Sequence, residues 1–149
     1  SYEILINISI MKIYFAGAIR GGREDAQLYK NMIAYLNEKG QVLTEHIGST
    51  DLNWEGETSS KDEEIYNRDI KWLQSADIVV AEVTTPSLGV GYELGIAEKL
   101  KIPVLCLYRP HKGNRLSAMI SGNTIFTCRE YTVFIEVQKW IDDFIQSHT

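Results

Sequence analysis

Cysteine, proline, positive charge and long apolar runs are all in short supply in this chain. Only two of its 149 residues are cysteine and three are proline. Cys106 falls in an expected strand and Cys128 near the end of another, with no CxxC and no Cys/His cluster at metal-site spacing, so no metal is expected and both thiols read as reduced core residues. No apolar run approaches the roughly 20 residues that cross a bilayer. The opening Ser1 to Ile10 lacks the basic stretch of a signal peptide. The expected setting is therefore soluble and intracellular, cytoplasmic with the nucleus left open. The formal net charge of −5 argues against coating DNA or RNA, although a local basic pocket for one phosphate is compatible with it. A mononucleotide suits such a balance and a polynucleotide does not. No internal repeat, linker or low-complexity tract interrupts the chain.

The composition, 44% hydrophobic and 23% charged, is that of one globular domain able to bury a sizeable core. Met11-Lys12-Ile13-Tyr14-Phe15 reads as a natural start at a first strand, which leaves residues 1–10 as an extension or an expression remnant and 11–149 as the single domain. Strand-like segments recur at Met11 to Phe15, Gln41 to Thr44, Asp77 to Val83, Pro103 to Tyr108 and Thr124 to Cys128. Helical periodicity lies between them. Arg23 to Lys39 carries Leu28, Met32, Tyr35 and Leu36 on one stripe and stops at Gly40; Val133 to Gln146 carries Val137, Trp140, Ile141, Phe144 and Ile145. Alternating strands and helices imply a doubly wound α/β fold, a five-stranded parallel sheet in order 2-1-3-4-5 with helices on both faces. Ligands of such sheets sit beyond the carboxyl ends of strands 1 and 3. Those ends carry Gly17 to Arg23 and Thr84 to Glu93. Gly48 to Ser60, without a clear period, reads as a loop over the site.

The stretch Ser87-Leu88-Gly89-Val90-Gly91-Tyr92-Glu93-Leu94-Gly95 puts a carboxylate where a helix begins after a buried strand. With the helix starting near Gly91, Glu93 shares a face with Ile96, Ala97 and Leu100. An acid on an inward face is either ion-paired for structure or held in a cleft for chemistry, and burial raises its pKa. Glu93 is the candidate nucleophile. Asp69 lies on the stripe of Ile65, Trp72 and Leu73, so a second acid points inward. Two inward carboxylates suggest the paired acids of glycosidic cleavage; the competing reading is that each pairs with an arginine for structure. Tyr14 either orients a carboxylate or fills the core. Gly17-Ala18-Ile19-Arg20-Gly21-Gly22-Arg23, opening a helix, reads as a phosphate cradle or as a tight turn with surface arginines. It has neither Walker A nor GxGxxG order, so ATP hydrolysis and dinucleotide binding are unsupported. His46 reads as a loop or base-contacting residue, without a proton-transfer role. Ser117 reads as a helix cap or an oxyanion contact.

Tyr14 through Asp25, Leu43-Thr44-Glu45-His46, Asp69 with Trp72-Leu73-Gln74, Ala81-Glu82-Val83-Thr84 and Pro86 through Gly95 together resemble the 2′-deoxynucleoside 5′-monophosphate N-glycosidases, relatives of the nucleoside 2-deoxyribosyltransferases. The likeness runs from about Met11 to Ile120. It implies hydrolysis of the bond between base and 2-deoxyribose 5-phosphate, without metal or organic cofactor. Glu93 would form a glycosyl ester at C1′, Asp69 would protonate the leaving base and Tyr14 would position Glu93. The resemblance implies that Arg20, Gly21, Gly22, Arg23 and Ser87 hold the phosphate, with Ser117 supplied by a second subunit of a homodimer. Ile19 and His46 would lie near the base, and Gly17 and Gly89 complete the substrate-binding set. The family pattern has serine where this chain has Ala18, which removes one hydroxyl contact to phosphate. The competing functions are deoxyribosyl transfer, a ribonucleotide or hydroxymethylcytidylate hydrolase on the same scaffold, and nucleotide sensing without turnover.

Overall fold

The computed structural model describes residues 9–19, 23–46 and 61–149. Five strands, β1 (Lys12–Gly17), β2 (Gln41–Leu43), β3 (Ile78–Glu82), β4 (Val104–Tyr108) and β5 (Thr127–Glu130), form one sheet in the order β2-β1-β3-β4-β5. Every neighbouring pair is parallel. The helices are α1 (Arg23–Asn37), α2 (Asp62–Ser75), α3 (Leu88–Lys99), α4 (Ala118–Ser121) and α5 (Phe134–Ser147). All residues of β3 and β4 are buried, because a parallel sheet is covered on both faces and its central strands meet no water.

Alternation along each strand divides the core in two. On the first face Ile13, Phe15, Ile78, Val80, Leu105 and Leu107 meet Met32, Ile33 and Leu36 of α1 and Val137, Ile141 and Phe144 of α5. On the second face Tyr14, Ala16, Val79, Ala81 and Cys106 meet Leu73 of α2 and Val90, Leu94 and Ala97 of α3. At ~25 cal/mol per Å² of apolar surface removed from water, these two layers supply the main force holding the sheet.

Most element boundaries shift by one to three residues from the sequence expectation, and three of the shifts have a clear local cause. The α3 helix begins at Leu88 rather than Gly91, since Ser87 caps it: its hydroxyl oxygen accepts from the Val90 N–H at 3.2 Å. The last strand begins at Thr127 rather than Thr124, because the Asn123 side chain accepts from Ile125 N–H at 2.9 Å and closes a turn there. The first helix stops at Asn37, and Gly40 follows it because a side chain there would meet the Met11 carbonyl oxygen at 2.4 Å. The chain leaves α3 through Lys101, the sole non-glycine at positive φ (61°) among the described residues. Lys101 N–H bonds Glu98 O at 3.0 Å and Ile102 N–H bonds Ala97 O at 3.0 Å, the paired closure of a helix end that ordinarily selects glycine. The stretch Gly48 to Ser60, expected to be a loop over the site, lies outside the described residues.

Candidate active site

The chain leaving β1 turns into α1 on the first face, and the chain leaving β3 turns into α3 on the second. Opposite departures from neighbouring strands open a crevice at their carboxyl ends, where doubly wound sheets bind ligands. Tyr14 points from β1 to the second face and is buried. Its hydroxyl donates to Oε2 of Glu93, one turn into α3. Glu93 lies at the edge of the packed stripe rather than within it. Val90, Leu94 and Ala97 are the buried residues of α3, Ile96 is half-buried, and Leu100, expected beside Glu93, is exposed.

Burial pushes the Glu93 carboxyl up to about 7; the Tyr14 hydrogen bond and the Arg68 charge oppose that rise, while Glu45 and Asp69 add to it. Burial, and next the negative charge of Glu93, raise the Tyr14 hydroxyl well above its ordinary value, so it stays protonated and remains a donor. Asp69 approaches from α2. Arg68 Nε and Nη2 each lie 3.0 Å from its Oδ1, and Nη2 lies 3.5 Å from Oε2 of Glu45. The Arg68 guanidinium also stacks over the Trp72 ring, 4.7 Å from its centroid. The site thus gathers three carboxylates, one guanidinium and one phenol. The sequence reading passed over Arg68; the signal was its i, i+4 relation to Trp72.

His46 sits beneath the β1 exit. Its Nε2–H donates to the Gly17 carbonyl oxygen at 3.0 Å, and its ring packs edge-on against Phe15 and Tyr29. Burial, the dominant influence, lowers its pKa and keeps the ring neutral near pH 7. Gly17 is required there by close packing, since an added Cβ would meet the Tyr29 ring at 3.1 Å. Ile19 is exposed at the exit turn, and Ala18 is buried. Arg20, Gly21 and Gly22 lie outside the described residues, and of Arg23 only the backbone is described, opening α1. Ser87 is half-buried at the α3 cap, with Gly89 exposed in the first turn and nothing nearer than Ser87 Oγ at 3.9 Å to an added Cβ.

Ser117 immediately precedes α4. It is exposed on the β4–β5 connection and caps α4, its hydroxyl oxygen accepting from Met119 N–H at 3.2 Å. Among the described residues, no cluster of three or more His, Cys, Asp or Glu side chains is placed to hold a metal ion, and no helix is long and apolar enough to cross a membrane.

A parallel doubly wound sheet with a tyrosine-braced carboxylate at its open end defines an α/β protein whose site is built on acid groups. Its residues 13–124 match the family model described as nucleoside 2-deoxyribosyltransferase. The chain belongs to that family. It is 50% identical over 141 residues to the 5-hydroxymethyl-dUMP N-hydrolase of Tetraodon nigroviridis, spanning 92% of this chain and 99% of that one. It is 55% identical over 140 residues to the protein of the same name from Rattus norvegicus, spanning 91% and 85%. Among solved structures, a CMP N-glycosidase of Clostridium botulinum shares the fold with a TM-score of 0.63 at 17% identity, over 89% of this chain and 98% of the other.

Proposed function

We propose that this protein hydrolyses the N-glycosidic bond of 2′-deoxynucleoside 5′-monophosphates to free base and 2-deoxyribose 5-phosphate, with 5-hydroxymethyl-dUMP as its preferred substrate. The observation that carries the reading is Glu93, a carboxyl poised near neutrality, braced by Tyr14 and facing the crevice that Asp69 also enters. The base preference is supported by the names of relatives at 50% and 55% identity.

Ionised Glu93 attacks C1′ as the bond from C1′ to the base nitrogen breaks. The electron pair of that bond leaves with the base, and Asp69 delivers the proton that neutralises it. Water then opens the glycosyl ester at C1′, giving its proton to Asp69, so that both carboxyls return to their starting states. Arg68 orients Asp69, its Nη2 lying 3.0 Å from Oδ1. A retaining mechanism holds such a pair about 5 to 5.5 Å apart. Tyr14 stabilises the ionised nucleophile.

The phosphate is assigned to Arg20, Gly21, Gly22 and Arg23 at the α1 N-terminus, with Ser87 and Gly89 from α3. Gly17, Ile19 and His46 border the base side. Ser117 is assigned to the neighbouring site of a homodimer. Apolar side chains flanking both serines support a second copy there: Leu88 is 96% exposed and Met119 81% exposed, an arrangement a partner surface would cover. A cytoplasmic or nuclear location accords with two cysteines left as free thiols.

The test is a panel of 2′-deoxynucleoside monophosphates including 5-hydroxymethyl-dUMP, their ribo counterparts and the unphosphorylated nucleosides, scored for free base by chromatography. Release from deoxynucleotides, fastest from 5-hydroxymethyl-dUMP, is expected. Release only when an acceptor base is added would make the protein a deoxyribosyltransferase, the activity for which the family is named. Binding without release would make it a sensor.

A further inference from the structure

Glu82, the last residue of β3, is 1% exposed and points to the first face, away from Tyr14 and Glu93. A buried carboxylate needs partners. Here Thr84 N–H donates at 3.0 Å, Thr84 Oγ1 at 2.6 Å and the Tyr131 hydroxyl at 2.5 Å. Thr84 Oγ1 in turn accepts from the backbone N–H of Arg109 at 2.9 Å, fixing the start of the loop that leaves β4. The Arg109 side chain then reaches across the top of the first face: its Nη2 lies 3.3 Å from Oδ1 of Asp25, in the opening turn of α1. The other Asp25 oxygen accepts from the Thr85 hydroxyl at 3.0 Å. Asp25 is buried, and both its oxygens are engaged.

The position of Asp25 raises an electrostatic difficulty. A carboxylate two residues beyond Arg23 places negative charge beside the helix end assigned to the substrate phosphate, where it opposes the attraction of the helix N-terminus. Among the described residues, Arg109 is the cation that meets it. We propose that Arg109 is a positioning residue for the substrate phosphate: by pairing with Asp25 it cancels the carboxylate beneath the α1 N-terminus and pins that turn to the β3–α3 connection. The inference rests on the phosphate assignment made above. It adds a residue from the exit of β4, 84 positions away from Asp25, to the machinery of substrate binding.

The test compares 5-hydroxymethyl-dUMP with the matching unphosphorylated nucleoside, and uses inorganic phosphate as a competing ligand. Arg109→Ala is expected to raise KM for the nucleotide about tenfold and to weaken inhibition by inorganic phosphate to the same degree, with kcat within about twofold. Turnover of the nucleoside is expected to stay unchanged. Arg109→Lys keeps the charge and should stay within about threefold of wild-type KM. Asp25→Asn introduced into Arg109→Ala should recover most of the KM loss, because the uncompensated charge is gone; a purely structural role predicts instead losses that fall equally on nucleotide and nucleoside. Arg109→Gln carries the same expectation as Arg109→Ala if the smaller side chain prevents folding. An unchanged KM, or equal losses on both substrates, would overturn the proposal. A wild-type enzyme that makes no distinction between nucleotide and nucleoside, and ignores inorganic phosphate, would remove the phosphate assignment and this inference together.

Discussion

A carboxylate that attacks a sugar must be ionised when substrate arrives, yet burial holds the Glu93 carboxyl at about 7. On the proposed mechanism kcat/KM therefore falls as pH drops through that value. Tyr14 donates to the charged form, so its removal makes ionisation harder. In Tyr14→Phe the acid limb of the pH profile should move upward by about one to two units, the equivalent of one hydrogen bond to a charged group. Glu93→Gln should lower base release by ~10³-fold or more, as expected for loss of a covalent nucleophile. The same substitution should stabilise the fold at alkaline pH. The folded-state pKa of Glu93 lies above its unfolded value of 4.5, so the native chain binds the extra proton between them and loses stability as pH rises through that window. Glu93→Gln, which has no proton to lose, should gain about 1–3 kcal/mol over wild type at pH 8 and little at pH 4, as followed by thermal melts. Periodicity singled out Asp69 and Glu93 as polar residues on apolar stripes, whereas Tyr14 stood out only through the family resemblance, since a tyrosine on a buried strand reads equally as core. Arg109 was not legible in the sequence, because a cation is recognised by the acid it meets, and Asp25 meets Arg109 across 84 positions.

At the scale of elements, near-continuous apolar runs for β3 and β4, separated by amphipathic helices, specified the parallel sheet and its order in advance. Helix ends were harder to read, because caps decide them. Ser87 starts α3 one turn before the periodicity turns helical, and Asn123 delays β5 by closing a turn. The exit from α3 shows the reverse case. Lys101 occupies the left-handed position of a helix-terminating pair of hydrogen bonds, at φ 61°. A lysine there carries a Cβ penalty that glycine avoids, partly offset by the greater freedom of glycine in the unfolded chain. Lys101→Gly should stabilise the protein by about 0.5–1 kcal/mol, read as a shift of the urea midpoint with an unchanged slope.

For the whole molecule, the assignment of Ser117 to the neighbouring subunit's site turns the proposed homodimer into a complementation experiment. Glu93→Gln and Ser117→Ala should each be impaired alone. If each site draws its serine from the other subunit, mixed dimers of the two variants contain one intact site, and random pairing should restore roughly a quarter of wild-type activity. Sites confined to one chain would give no recovery. Leu88→Asp, which charges the exposed flank of Ser87, should shift the particle toward monomer in sedimentation, with the activity falling alongside.

The hydrogen bond between Tyr14 and Glu93 joins residues 79 positions apart, and it closes only when β1 has paired with β3 and α3 has docked behind them. Such distant pairings are late and slow to form, while helices close from neighbouring residues. A refolding chain will therefore regain its helical signal before it regains the ability to release base. Activity in this protein doubles as a clock for the completion of its sheet.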